Sequence, residues 1–259
     1  QELKGFRDVE KIYTNAQETA SSIVSSLDAH CKYMKLDCVV DLLSSDDLDF
    51  INTFGYGRKT KKAPTGKYIL YIVTSESVRH FDWIPSMIYS LFFDKLYSIT
   101  KNDPTLHQTL PNHLTCLMDE FYNVTLPDAF VGLTSTMRSR GISVVIIIQN
   151  LLQLKDKFPQ NDQDKNLRSN MSTTIILGGP DNESCKTLSE EFGKHTIHKQ
   201  TTGLTRGGQG SSSENEDVME HYLFPAQDIY NMAKDGYCAI RVKGAHPLWV
   251  DKVRFENSP

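Results

Sequence analysis

Two adjacent acids follow an apolar run in Leu114-Thr115-Cys116-Leu117-Met118-Asp119-Glu120-Phe121. A strand ending in paired carboxylates can turn the first toward a hydrated Mg2+ and leave the second to take a proton from an attacking water. Acids also occur at ordinary strand exits, so the pair gains meaning from the residues downstream of it. Arg138 and Arg140 close the next stretch, Thr134-Ser135-Thr136-Met137-Arg138-Ser139-Arg140-Gly141-Ile142-Ser143. The apolar run Val144 to Ile148 then delivers Gln149-Asn150. An amide at the carboxyl end of a buried strand is where a sensor of a terminal phosphate belongs, because ligands of open α/β sheets bind beyond those ends. A lone arginine at a helix end is favoured by the helix dipole alone. The acids, the arginines and the amide, in this order and spacing, point together to nucleotide hydrolysis.

These residues need strands and helices in alternation to position them, and the pattern supplies both. Arg7 to Met34 repeats apolar residues at helical spacing and reads as one long helix or two. Asp37 to Asp49 is acidic, and Gly55 to Pro64 is a basic loop. Tyr68 to Thr74 is β-branched and aromatic, a buried strand. Met87, Ile88, Leu91, Phe92 and Leu96 form a helical stripe. His113 to Met118, Ser143 to Ile148 and Ser172 to Leu177 read as strands. Asp128 to Arg140 reads as a helix with Asp128 as N-cap and Gly141 as its stop. Leu151 to Phe158, Asn182 to Lys194 and Gln227 to Ala233 read as further helices. Strands apolar on both faces, alternating with helices, predict a parallel sheet covered on both sides. Thr201 to Asp217 is glycine- and serine-rich and reads as a mobile loop. Tyr237 to Val242 and Leu248 to Val253 predict a closing hairpin.

Composition bounds the rest. With 259 residues, 39% apolar and 23% charged, the chain is one large globular domain or two small ones. A net charge of -4 argues against a freestanding nucleic-acid binder, which would be basic, and leaves room for a local basic groove or a pore. The five cysteines are odd in number and form no Cys-x-x-Cys pair, so neither a zinc site nor a disulfide framework is expected. His195 and His198 lie near no acid cluster in sequence and are not expected to hold a metal. No apolar run approaches the ~18 residues that span a bilayer.

The acids are arranged as in the Walker B motif of P-loop ATPases. Asp119-Glu120-Phe121, Arg138-Ser139-Arg140-Gly141-Ile142-Ser143 and Ile147-Ile148-Gln149-Asn150-Leu151-Leu152-Gln153-Leu154-Lys155 together resemble the type IV secretion coupling proteins, ATPases of conjugation that hand DNA to a secretion channel. The resemblance runs from about Pro64 to Phe255. It takes in Leu223-Phe224-Pro225-Ala226-Gln227-Asp228 and Ile240-Arg241-Val242. It implies a RecA-like P-loop ATPase-type parallel sheet flanked by helices. It also implies homo-hexameric rings anchored at the cytoplasmic face of the bacterial inner membrane, and an all-helical domain inserted ahead of the acid pair. On that footing residues 1–49 are the trailing part of the helical, substrate-receiving domain, and residues 50–259 the RecA-like nucleotide-binding domain.

The same resemblance implies ATP and Mg2+ as cofactors. Asp119 would hold Mg2+ through water, Glu120 would be the catalytic base, and Gln149 the γ-phosphate sensor. Arg138 would be an arginine finger acting on a neighbouring subunit's nucleotide, with Arg140 as the second nucleotide-binding arginine. Implied partners are single-stranded, relaxase-bound DNA, the relaxase and accessory substrate proteins, and type IV secretion channel subunits. Charge placement adds Lys61, Lys62 and Arg206 as DNA contacts. Gly-x-x-x-x-Gly-Lys-Ser/Thr, the phosphate-cradling Walker A loop, does not occur. The nearest mimic, Thr65-Gly66-Lys67, is followed by Tyr68 and reads as a turn. Walker A and the membrane anchor are therefore expected upstream of Gln1 in a longer protein, and the chain alone is expected not to turn over ATP. Two other readings remain: a non-catalytic docking module working through Arg7 to Met34, and a hexameric DNA translocase of the chromosome-segregation type.

Overall fold

Helix formers open the chain. The first helix, α1 (Gln17–Cys31), continues as a 3-10 turn at Lys32–Lys35 and is followed by α2 (Asp37–Leu43). The computed structural model describes residues 17–61, 63–75, 79–178, 181–204 and 212–253, so residues 7–16 of the expected long helix lie outside it. Ile23, Val24 and Leu27 recur at helical spacing on α1, yet all three are exposed.

The next helix, α3 (Trp83–Asn102), buries Ile84, Phe92, Phe93 and Leu96; of the expected stripe Phe92 and Leu96 are buried, Met87 and Ile88 half-buried and Leu91 exposed. A π-helical turn at Ile51–Gly55 packs on it, with Phe50 and Phe54 meeting the Phe92 ring edge-on at 5.0 and 5.4 Å. At Gly55 a Cβ would come within 2.4 Å of Ile99 Cδ1, so the end of the Ile99 side chain would have to turn aside. Thr65-Gly66-Lys67 is indeed a turn. The Gly66 amide donates to Ala63 O at 3.0 Å, and at φ +69° a Cβ on Gly66 would sit 2.2 Å from Gly57 O.

Tyr68 to Thr74 departs from expectation. It forms no strand among the described residues, and Ile69, Tyr71 and Val73 are 78%, 79% and 91% exposed. Strand propensity is largely a fit to a pleated, half-buried surface, and without a neighbouring strand it organises nothing.

The strands β1 (Leu114–Met118) and β2 (Ile142–Ile146) form one sheet. The Leu114 amide donates to Gly141 O and the Ile147 amide to Met118 O, both at 3.0 Å, so the two strands run parallel, as expected. Between them lies α4 (Phe130–Met137), ending in a 3-10 turn at Arg138–Arg140. Ala129, not Asp128, occupies the N-cap and offers no side-chain acceptor. Gly141 ends the turn at φ +75°, as expected of a stop.

Two short helices follow, α5 (Leu151–Lys157) and α6 (Gln163–Asn170), the second absent from the sequence reading. After them come β3 (Thr173–Ile176) and α7 (Asn182–Phe192). The chain then folds into β4 (Lys194–Leu204) and β5 (Ser212–Tyr222), an antiparallel pair that takes in residues 201–204 and 212–217 of the stretch read as a mobile loop, while residues 205–211 of that stretch lie outside the described residues. Polarity there does not mean disorder, because an antiparallel hairpin can be polar on both faces if its backbone ladder is complete. Last are α8 (Ala226–Asp235), β6 (Tyr237–Val242) and β7 (Leu248–Asp251). The expected closing hairpin is β6 with β7, but β3 joins it antiparallel, Thr173 facing Val242 and Ile176 facing Ala239. Parallel pairing is thus confined, among the described residues, to β1 and β2.

The molecule divides into two compact units. One comprises Gln1–Leu114, Thr125–Asp128 and Ser139–Ser143, the other Thr115–Val124, Ala129–Arg138 and Val144–Pro259. The first is organised on α3. The core of the second includes Ile176, Cys185, Leu188, Phe192, Ile229, Met232 and Ala239, with Phe224 and Trp249 packed against it. The sheet faces are less covered than their apolar sequences predict: Leu117, Val145, Ile147 and Ile175 are all exposed. No helix among the described residues is long and apolar enough to cross a membrane.

Glu191 on α7 pairs with Arg168 of α6 and, at 3.3 Å, with Arg241 of β6, all three half-buried. Glu191→Ala is expected to lower unfolding free energy by about 1–3 kcal/mol in urea titrations, because two partly desolvated guanidiniums lose their carboxylate. Lys165→Ala, which removes only the exposed pair with Asp162, is expected to cost less than about 0.5 kcal/mol.

Candidate functional site

The acid pair is set by what is buried on either side of it. Met118 is 2% exposed and Phe121 fully buried, so Asp119 and Glu120 between them face solvent. Two backbone bonds clamp this short arc to the end of β2: the Ile147 amide donates to Met118 O, and the Phe121 amide to Ile147 O at 2.9 Å. To make the reversal Glu120 adopts a left-handed conformation, φ 43° and ψ 50°, which costs a non-glycine residue about 1 kcal/mol. Its amide donates to Asp119 Oδ1 at 3.0 Å, which fixes the first carboxylate against the second residue's backbone.

The chain beyond the acids is bolted to α5. The Phe121 ring meets those of Phe130 and Phe158 at 5.9 and 6.2 Å. Lys157, in the last turn of α5, lies 5.5 Å from the centre of the Phe121 ring and donates to Tyr122 O at 2.9 Å and Val124 O at 2.6 Å. The Tyr122 hydroxyl donates to Asp156 Oδ2 at 2.5 Å.

Gln149 is held from its own side. Asn150 caps α5, its Oδ1 accepting from the Gln153 amide at 3.0 Å, while Gln153 Oε1 accepts from the Gln149 amide at 2.9 Å. This is a capping box displaced by one residue. Next to it the Leu151 amide donates to Ser184 Oγ at 3.0 Å, and Ser184 Oγ donates to Asp181 Oδ2 at 2.5 Å. Asp181 is the N-cap of α7, accepting from the Glu183 and Ser184 amides at 2.9 Å each. The Gln149 side chain then points at the acids: Nε2 lies 3.4 Å from both Glu120 oxygens, a long contact at the weak end of hydrogen bonding.

The structure therefore gathers Asp119, Glu120 and Gln149 at neighbouring strand ends, open to solvent. Two exposed carboxylate groups can hold a hydrated cation, one of them can accept a proton, and the amide can donate to either carboxylate or to an anion beside it. Arg138 is exposed at the end of α4. Arg140 is engaged differently, its Nη1 donating to Gln108 O at 3.3 Å and its guanidinium 5.7 Å from the Tyr97 ring centre. Lys61 is exposed, while Lys62 and Arg206 lie outside the described residues. Cys116, beneath the acids on β1, has its thiol pushed up to about 12 by burial and is no nucleophile.

Sequence reading finds the acids and the amide but assigns no role to Gln153, Lys157, Asp181 and Ser184, which orient them. The signals are present: Asn150-x-x-Gln153 is a capping-box pattern, and Asp181 is a preferred N-cap residue before Asn182.

Residues 113–234 match the family described as the TraM recognition site of TraD and TraG. Among solved structures the chain is similar to the bacterial conjugative coupling protein TrwBdeltaN70 in its unbound monoclinic form, at 17% identity and TM-score 0.51, over 67% of this chain and 38% of that one. It is also similar to the plasmid coupling protein TrwB in complex with ADP and Mg2+, at 16% identity and TM-score 0.49, over the same shares. No curated protein matches. The first likeness shows the fold, strands flanked by helices in an α/β arrangement. The chain spans less than two fifths of that structure's length.

The Asp181 carboxyl is held below the ordinary carboxylate range, first by the Ser184 hydroxyl and then by the Ser184 amide. A carboxyl lowered in the native state stabilises fully above its unfolded value and loses that contribution as pH falls through the lowered native one. Asp181→Ala is expected to cost about 0.5–2 kcal/mol near neutrality. The gap between variant and wild-type melting temperatures should narrow below about pH 4, as thermal melts over a pH series will show.

Proposed function

We propose, for a chain whose residues 113–234 match the TraM recognition site of TraD and TraG, that it is part of the motor domain of a type IV secretion coupling protein. In this reading the intact protein hydrolyses ATP to deliver relaxase-bound DNA to the secretion channel. The observation that carries this reading is the Gln149 amide set against both oxygens of Glu120, with Asp119 fixed one residue before. A base beside a phosphate sensor and a metal-binding acid is the minimum needed to activate a water for in-line attack.

In this reading Asp119 holds Mg2+ through water, Glu120 takes the proton of the attacking water, and Gln149 reports the γ-phosphate. Residues 1–49 belong to the helical substrate-receiving domain and residues 50–259 to the nucleotide-binding domain. The protein works as a ring of copies on the cytoplasmic face of the inner membrane, in contact with the relaxase, with channel subunits and with a TraM-like accessory protein. Lys61, Lys62 and Arg206 meet DNA phosphates. A second reading, a docking module without catalysis, is favoured by the exposed Ile23, Val24 and Leu27 on α1. Relaxase binding that ignores nucleotide would select it.

The phosphate-cradling loop is not among these 259 residues, so the chain alone is expected to release no phosphate from ATP in a coupled assay. Mg2+-dependent hydrolysis by the chain, abolished by Glu120→Gln, would overturn this. In a longer form that carries the loop, Glu120→Gln should retain ATP binding and lose hydrolysis by about 10²- to 10⁴-fold, since the amide keeps the shape but accepts no proton.

Arg138 is assigned to the neighbouring subunit's nucleotide, and an arginine supplied across a boundary is worth about 10³- to 10⁵-fold in rate. Mixed rings of Arg138→Ala and Glu120→Gln subunits should recover part of the activity that each variant lacks. Rings verified as mixed that stay inactive would remove Arg138 from this role, with Arg140 next to be tested.

A further inference from the structure

Away from the acid pair, two imidazoles are placed as a chelate. β4 and β5 are antiparallel with His195 directly opposite His221, and directly opposed side chains leave the same face of a sheet. Their ring centroids are 5.8 Å apart with the planes inclined at 60°, and both residues are exposed. His221 Nδ1 lies 2.9 Å from Tyr222 O. A carbonyl oxygen only accepts, so in the neutral ring Nδ1 carries the proton and Nε2 keeps its lone pair. Metal-binding imidazoles are oriented in this way, one nitrogen held by a backbone carbonyl while the other ligates.

We propose that His195 and His221 form a bidentate site for a divalent transition metal ion, with Zn2+ as the occupant. Zinc lies ~2.0–2.1 Å from an imidazole nitrogen, which puts each ring centre about 3.3 Å from the metal. At a tetrahedral angle the two centres are then about 5.3 Å apart, so a small rotation of exposed side chains closes the observed spacing. Among the described residues no group of three His, Cys, Asp or Glu side chains gathers. The site therefore offers two protein ligands and leaves the remaining positions to water or to a donor from another molecule. His198 takes no part: an odd offset from His195 places it on the other face of the strand. That face carries the ion pair of Lys194 with Glu220 at 3.2 Å. Because the histidine pair lies one register step from the Lys194–Tyr222 end of the ladder, the metal would clamp β4 to β5 at the end of the ladder that follows α7. The site is independent of the nucleotide reading.

The test uses the 259-residue chain without an affinity tag, titrated with Zn2+ alone by calorimetry and by histidine nitrogen NMR. One equivalent should bind, and the His221 Nε2 resonance should shift while Nδ1 keeps its proton. His195→Ala and His221→Ala should each weaken binding by about 10- to 100-fold, and His198→Ala should leave it unchanged. In parallel titrations affinity should rise from Co2+ to Ni2+ to Cu2+. No binding at millimolar Zn2+, equal binding by wild type and both single variants, or a loss matched by His198→Ala would overturn the proposal. The NMR arm reads the wild-type chain, so the outcome does not depend on how the variants fold.

Discussion

Everything at the candidate site hangs on the way β1 and β2 end side by side. The Ile147 amide bonds to Met118 O and the Phe121 amide returns to Ile147 O, so the residue just past β2 brackets the arc that leaves β1. Between two such bonds there is room for Asp119 and Glu120 only if the chain reverses sharply. The reversal is the left-handed Glu120. A glycine would fit that conformation more easily, and a carboxylate stands there instead. Strained backbone at an exposed acid persists only where the surroundings over-determine it, and here the buried Phe121 with its ring and cation contacts does so.

The second strand end is controlled by helix-start chemistry. Gln149 lies where β2 has ended and α5 has not begun, a place where amides lack partners. Gln153 takes the Gln149 amide, Asn150 takes that of Gln153, and Ser184 takes that of Leu151. Ser184 is fixed in turn by Asp181, so the N-termini of α5 and α7 share one hydrogen-bonded chain. The consequence is positional: the Gln149 backbone cannot slide without breaking a cap, and its side chain stays within reach of Glu120.

The elements that carry the site are legible because each has a strong local signature. β1, β2 and α5 follow from apolar runs bounded by acids, Gly141 and Asn150, and they fall within a residue or two of where the sequence puts them. Partners in space are not legible. Tyr68 to Thr74 has the composition of a strand, but composition carries no information about whether a neighbour is present. β3 reads as one more parallel strand, yet it pairs antiparallel with β6, more than sixty residues on, and nothing local to Thr173–Ile176 distinguishes the two outcomes. The hairpin of β4 and β5 is hidden for the opposite reason. Its stabilisation lies in a continuous backbone ladder from Lys194–Tyr222 onward, which polar side chains neither advertise nor forbid.

The long contact between Gln149 and Glu120 joins these threads. At 3.4 Å to each oxygen it is too weak to hold the side chains against a better partner, and both groups are solvent-exposed. The backbones beneath them, by contrast, are fixed by bonds of 2.9 to 3.0 Å. A firm frame carrying two loosely paired side chains is suited to exchange. Under the proposed function, a γ-phosphate entering between the strand ends offers the Gln149 amide a charged acceptor, which forms a stronger bond than the long one to Glu120. Glu120 would then lose its long contact to Gln149 and could turn both oxygens to a water. Such an exchange would tie the acid pair to the presence of nucleotide with no movement of the strands.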